Sequence, residues 1–215
     1  MGIFSTVFCR HVMPFLLEKV TKNLKIDRSE ILSHLSGHVL EVGIGTGANL
    51  PFYPASVDKV TGIDLEAPLL KRCQRNWTNL GPQKMQLELS LGNAEELPFP
   101  SHSFDAILSC LVFCSISSAE KAAEELFRLL KPGGQLIFFE HILDWDERTA
   151  KWQRRLNPIW GSLSCGCQLT SKTDEIFRKA GFQFQVLDKY YHRSLGKFFS
   201  SVIKGIAIKN VGAEE

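Results

Sequence analysis

The chain has 215 residues, 44% hydrophobic and 22% charged, with a formal net charge of +2. That length suits one domain with a real core, the composition excludes intrinsic disorder, and so balanced a charge gives no electrostatic case for nucleic acid. Six cysteines are too sparse for a disulfide scaffold, no signal-peptide pattern opens the chain, and no run reaches the ~20 apolar residues of a membrane span, so a cytoplasmic protein with reduced thiols is expected.

Residues 3–24 read as an amphipathic helix broken at Pro14, with Phe4, Val7, Phe8, Val12, Phe15, Leu16 and Val20 set against Arg10, Lys19, Lys22 and Lys25. Such a segment either packs on the domain and covers an active site, or lies on a membrane surface. Strands and helices then alternate. Strands are expected at Val39–Val42, Lys59–Asp64, Met85–Leu91, Phe104–Cys110 and Gln135–His141. Helices are expected at Pro68–Leu80 and at Ala119–Leu130, the latter stopped by Lys131-Pro132-Gly133-Gly134, with a short helix or loop at Asn49–Tyr53. Residues 144–167 interrupt the rhythm with charge, then tryptophan, glycine and cysteine. A helix over Thr170–Ala180, capped by Gly181, and strands at Phe182–Tyr190 and Ser201–Lys209 close the chain. The reading is one α/β domain over residues 1–215, with an N-terminal amphipathic segment (1–30) and an insertion at 144–167.

The most informative stretch is His38-Val39-Leu40-Glu41-Val42-Gly43-Ile44-Gly45-Thr46-Gly47. A short strand running into three alternate glycines lets backbone N–H groups approach a ligand closely. In an open α/β sheet, ligands bind at the carboxyl ends of the strands. Asp64 closes the second strand, where a carboxylate can accept both hydroxyls of a ribose. Asn93 and Ala94 follow the third, where a side-chain oxygen and a backbone N–H can read an adenine edge; the bland alternative there is a plain Asn turn. Gly43-x-Gly45-x-x-Ala48 with Asp64 also satisfies the dinucleotide fingerprint of an NAD-dependent oxidoreductase. Against that reading, Glu41 stands two residues before the first glycine, placed to meet a cationic ammonium group directly or through water. The motifs Asn93-Ala94-Glu95-Glu96-Leu97-Pro98-Phe99, Ser103-Phe104-Asp105 and Leu130-Lys131-Pro132-Gly133-Gly134 also follow in order.

That ordered set, over roughly residues 36–142, resembles the class I S-adenosylmethionine-dependent methyltransferases. The resemblance implies a doubly wound, Rossmann-like seven-stranded sheet, mostly parallel, with a C-terminal antiparallel hairpin. It implies S-adenosylmethionine as cofactor. Glu41 and the Gly43, Gly45 and Gly47 backbone would meet its methionine part, Asp64 the ribose, Leu65 and the Asn93-Ala94 pair the adenine, and Cys110 and Leu111 the region near the reactive methyl. Family members commonly carry Asp where Asn93 stands. The segments Leu40–Tyr53, Leu111-Val112-Phe113-Cys114-Ser115, Glu140-His141 and Gly166-Cys167-Gln168-Leu169-Thr170 are similar to the methyltransferase-like thiol S-methyltransferases and their small bacterial relatives. A related resemblance is to bacterial quinone and phospholipid methyltransferases. The animal thiol enzymes carry a long hydrophobic N-terminal anchor; here only the amphipathic segment stands, leaving peripheral membrane contact open.

Residue chemistry adds acceptor-side candidates. His141, at the end of the fifth strand beside Glu140, is the candidate base, against the alternative of a loop hydrogen-bonder. Cys114 faces the same pocket or fills the core. Cys165-Gly166-Cys167 has no second Cys/His pair nearby in sequence, so no metal site is expected; Cys110, Cys114, Cys165 and Cys167 converge only if 144–167 folds over the pocket. Trp145, Trp152, Trp160 and Phe113 build either an apolar acceptor site or ordinary core, and Lys151, Arg154 and Arg155 either hold an anion or form a solvated face. The basic aromatic tail, Tyr190–Arg193 and Lys197–Phe199, suits a rim near the acceptor or a membrane-facing edge paired with the N-terminal helix. The expected activity is methyl transfer to a small, lipophilic acceptor, thiol first. The alternatives are a phospholipid or quinone acceptor, a non-catalytic cofactor-binding protein, and the NAD-dependent oxidoreductase.

Overall fold

A computed structural model describes residues 25–164 and 166–210. The helix expected over residues 3–24, and Cys165, lie outside the described residues.

Helix α1 (Lys25–Leu32) leads into β1 (Gly37–Val42), followed by a 3₁₀ turn at Leu50–Phe52, β2 (Val57–Asp64) and α2 (Ala67–Asn79). Pro68 sits in the first turn of α2, where its missing N–H costs nothing. Then come β3 (Gln86–Leu91), β4 (Phe104–Cys110), a 3₁₀ turn at Phe113–Ser115, α3 (Ala119–Leu129) and β5 (Leu130–His141). The chain ends in α4 (Glu147–Leu163), α5 (Thr173–Lys179), β6 (Gln183–Tyr191) and β7 (Ser201–Ile208).

The seven strands form one sheet in the order β3-β2-β1-β4-β5-β7-β6. Pairs through β5 are parallel, while β7 runs antiparallel to both β5 and β6. Alternate residues of the central strands serve opposite faces, as the two-residue pleat demands. Leu40, Val42, Ile107, Leu136 and Phe138 pack with Ala122, Leu126 and Phe177 on one side. Val39, Ala106, Leu108, Ile137 and Phe139 pack with Ile31, Leu32 and Cys73 on the other. Helices on both faces make the sheet doubly wound, and strand order reverses between β1 and β4, where a crevice opens at the carboxyl ends.

Two element starts differ from the sequence expectation by three residues or more; the other boundaries move by one or two. β5 begins at Leu130 and takes in the Lys131–Gly134 turn, because Phe104 pairs with Leu130 before the register jumps to Ala106 with Gln135. Gly133 absorbs that excursion at φ +76°. Helix α5 starts at Thr173, three residues later than expected, because Gln168 and Leu169 are drawn into contacts with Cys114 and Asn157. Residues 144–167 are mostly helical: Asp146 caps α4 by accepting from the Thr149 N–H at 3.0 Å.

Candidate active site

The β1 turn lies at the crevice. Gly43, Gly45 and Gly47 have φ of +63°, +57° and +82°, conformations that L side chains rarely adopt. Their surroundings differ. A Cβ on Gly43 would meet Val112 Cγ2 at 2.3 Å, and one on Gly47 would meet Leu50 Cδ1 at 2.5 Å. A Cβ on Gly45 would meet nothing closer than 3.9 Å. The turn is packed at both ends and open in the middle, which makes a cradle.

Carboxylates hold the rim. Asp64 accepts from the Gly45 N–H at 3.0 Å and the Glu66 N–H at 2.9 Å, tying the end of β2 to the glycine turn. Burial raises its pKa, against the pull of those N–H groups. Glu41 is buried; Asn49 Nδ2 and Tyr53 OH each donate to it at 2.7 Å. Burial pushes its pKa up to about 7 despite those donors and the nearby Arg28. Asn49 and Tyr53 belong to a motif conspicuous in the sequence, but their role as a clamp on Glu41 was not legible there.

Leu65 is 66% exposed beside Asp64, and Ala94 is buried. The Asn93 side-chain oxygen accepts from the Glu95 N–H at 3.1 Å. This is the Asx turn of the bland alternative, and it leaves one lone pair of that oxygen over.

The β4 end is held by a residue to which the sequence reading gave no role. Leu111 is left-handed at φ +57°, uncommon for a side chain of this size. Its N–H donates to Phe139 O at 2.8 Å. The next two N–H groups, of Val112 and Phe113, donate to the Glu140 carboxylate at 3.1 and 3.2 Å, and Ser109 Oγ donates to it at 2.6 Å. Glu140, fully buried and with its pKa raised to about 7 by burial, thus fixes the turn facing the glycine cradle. Cys110 is half-buried, and desolvation pushes its thiol up to about 12.

The segment containing α4 and the loop after it contacts the ends of β4 and β5. The Gln168 N–H donates to Cys114 O at 2.7 Å. His141 Nε2 lies 3.2 Å from Cys167 Sγ, and Cys167 Sγ lies 3.5 Å from Cys114 Sγ. The contact with Cys114, then His141, holds the Cys167 thiol below its ordinary pKa, while the same contact and burial push the Cys114 thiol up. His141 Nδ1 is buried with no hydrogen-bond partner among the described residues. The expectation that Cys167 lacks Cys/His neighbours therefore holds along the chain but not in space: β4 and β5 deliver Cys114 and His141 to it. Cys110 stays apart from this group.

The aromatic candidates divide. Phe113 is core, edge-on to Phe177 at 4.7 Å between centroids. Trp160 packs on Phe199 at 4.7 Å, and Trp145 on Tyr191 at 4.4 Å. Trp152 is exposed under Arg155, and Arg154 pairs with Glu147 on the exposed face of α4, as a solvated face would.

Known proteins agree with this frame. A methyltransferase-domain family model matches residues 40–138. The rat thiol S-methyltransferase TMT1B is 32% identical over 189 residues, covering 81% of this chain and 76% of that protein. The chain belongs to the class I S-adenosylmethionine-dependent methyltransferases. The human thiol S-methyltransferase TMT1A is 31% identical, covering 85% of the methyltransferase described here and 79% of its own length. A Haemonchus contortus phosphoethanolamine N-methyltransferase solved with S-adenosylhomocysteine shares the fold at TM-score 0.74 and 15% identity, covering 98% of this chain and 61% of that one. S-adenosylmethionine is the methyl donor, and the open middle of the glycine cradle, flanked by buried Glu41 and half-buried Asp64, fits it. Among the described residues no helix is long and apolar enough to cross a membrane.

Proposed function

We propose that this methyltransferase transfers the methyl group of S-adenosylmethionine to a small, lipophilic thiol. One observation carries the reading. The likeness to a thiol S-methyltransferase spans 81% of the chain, well beyond residues 40–138, and so reaches the segments that choose the acceptor. The domain is read as a single unit with 144–167 as its acceptor segment.

The cofactor supplies an electrophilic sulfonium methyl. Glu41 meets its ammonium end and the Gly43, Gly45 and Gly47 backbone borders its methionine part. Asp64 accepts the ribose hydroxyls, Leu65 packs on the adenine, and Asn93 and Ala94 read its edge. Cys110 and Leu111 border the reacting carbon and help exclude water. A thiol acceptor needs chiefly to ionise, and His141 with Cys114 are the groups placed to favour that.

The test offers labelled S-adenosylmethionine with a long-chain alkanethiol, phosphatidylethanolamine or a demethylated quinone. Label in a thioether is the expected result. Label on the amine or the quinone would overturn the thiol assignment, and no transfer to any of them would favour a non-catalytic binding protein.

A further inference from the structure

Two thiols and an imidazole meet where β4, β5 and the loop after α4 come together. Cys114, His141 and Cys167 each bring one ligand atom, and these three atoms lie within 4.8 Å of one another. Cys114 and His141 are buried and Cys167 is half-buried. Three independent elements supply the donors, so their meeting is a property of the fold and not of one local turn.

The distances suit a cation better than a disulfide. Zinc–sulfur bonds of about 2.3 Å and zinc–nitrogen bonds of about 2.0 Å around a tetrahedral ion separate its ligands by roughly 3.8 Å for two sulfurs and roughly 3.5 Å for sulfur and nitrogen. The observed separations are 3.5 Å for Cys114 and Cys167 and 3.2 Å for Cys167 and His141. A disulfide would need the sulfurs at about 2.05 Å and would give the imidazole nothing to do. Two thiolates and one imidazole form a soft donor set that selects zinc among common divalent ions, and three protein ligands leave a fourth position open.

We propose that Cys114, Cys167 and His141 bind one Zn²⁺ ion whose open fourth position takes the sulfur of the acceptor. The second half of this proposal rests on the thiol reading above. On coordination the acceptor thiol releases its proton to solvent. The resulting thiolate lone pair forms the new S–CH₃ bond as the methyl–sulfonium bond breaks. That bond's electron pair stays on the departing sulfur, leaving neutral S-adenosylhomocysteine. Cys110, half-buried and outside the cluster, takes no part in holding the ion.

The experiment titrates the full-length, reduced chain with Zn²⁺ against a chromophoric chelator, and separately with Co²⁺ as a spectroscopic stand-in. One equivalent should bind, with a thiolate-to-cobalt charge-transfer band in the near ultraviolet. Cys167→Ser, Cys114→Ser and His141→Ala should each weaken binding by at least about 100-fold, since even outer-shell partners of a ligand are worth 10- to 100-fold. Cys110→Ser should bind as the parent does. Circular dichroism of each variant separates ligand loss from unfolding, and Zn²⁺ should raise the melting temperature of the parent and of Cys110→Ser only. No binding by the folded parent, equal binding by the folded cluster variants, or an air-formed Cys114–Cys167 disulfide that leaves metal uptake unchanged would overturn the site. Adding 2-mercaptoethanol should shift the cobalt spectrum; a spectrum that stays put would refute the open position while leaving the ion. A shifted spectrum without methylated thiol would instead refute the thiol reading and leave the metal site standing.

Discussion

Gly45→Ala separates the fold from the cofactor site more cleanly than any other single change. Gly45 is left-handed at φ +57°, and a Cβ there would meet no atom closer than 3.9 Å. The fold loses only the backbone strain of an L side chain in that region, about 1–2 kcal/mol. For a domain of this size that lowers the melting temperature by roughly 2–8 °C. The methyl group, however, fills the open middle of the cradle. Overpacking a fitted contact costs about 1–3 kcal/mol, or roughly 5- to 150-fold in affinity. Gly43→Ala differs, since its Cβ would meet Val112 at 2.3 Å and disturb the Leu111–Phe113 turn itself. The assay is calorimetric titration of each variant with S-adenosylhomocysteine beside its thermal melt. A folded Gly45→Ala chain that binds within twofold of the parent would refute the placement of the cofactor in this turn.

Three further outcomes follow from the same geometry. Glu41 carries a pKa of about 7 through burial, and a cofactor ammonium favours its ionised form, so cofactor binding should release a proton below that pH. The dissociation constant of S-adenosylhomocysteine should then rise up to about tenfold per unit as pH falls below about 7 and be flat above it, with Glu41→Gln abolishing the slope; an identical slope in that variant would remove the ammonium assignment. Asp64→Ala should weaken binding by about 100- to 10⁴-fold, from two charge-assisted hydroxyl bonds at about 1.5–3 kcal/mol each, and unchanged affinity would end the ribose assignment. Glu140→Ala removes the acceptor of the Val112 and Phe113 N–H groups and should cost about 1–3 kcal/mol for each donor left unpaired, read as a lower melting temperature; a melt equal to the parent's would show that Glu140 does not hold the Leu111 turn.

What the sequence made legible follows physical locality. Strand β4 spans Phe104–Cys110 as expected, because an apolar run follows the turn at Pro100–Ser103. The glycine turn and Asp64 were visible because φ constraints and a strand-end carboxylate leave marks in adjacent residues. Leu111 left none: its positive φ is imposed by Phe139 and Glu140, which lie on a different strand. The Asn49 and Tyr53 clamp on Glu41 and the Cys114–His141–Cys167 meeting depend on contacts 8 to 53 residues apart. Cysteine spacing alone cannot show which strand ends become neighbours. Asn93 was ambiguous in kind: the same oxygen can close an Asx turn and still present a lone pair to a ligand.

The central claim is that the turn after β1, with Asp64, is the seat of an S-adenosyl ligand. Calorimetric titration of the full-length chain with S-adenosylhomocysteine and, in parallel, with NAD tests it most directly. One-site binding of S-adenosylhomocysteine, with no heat from NAD, is the predicted result. Tight NAD binding without S-adenosylhomocysteine binding would contradict it.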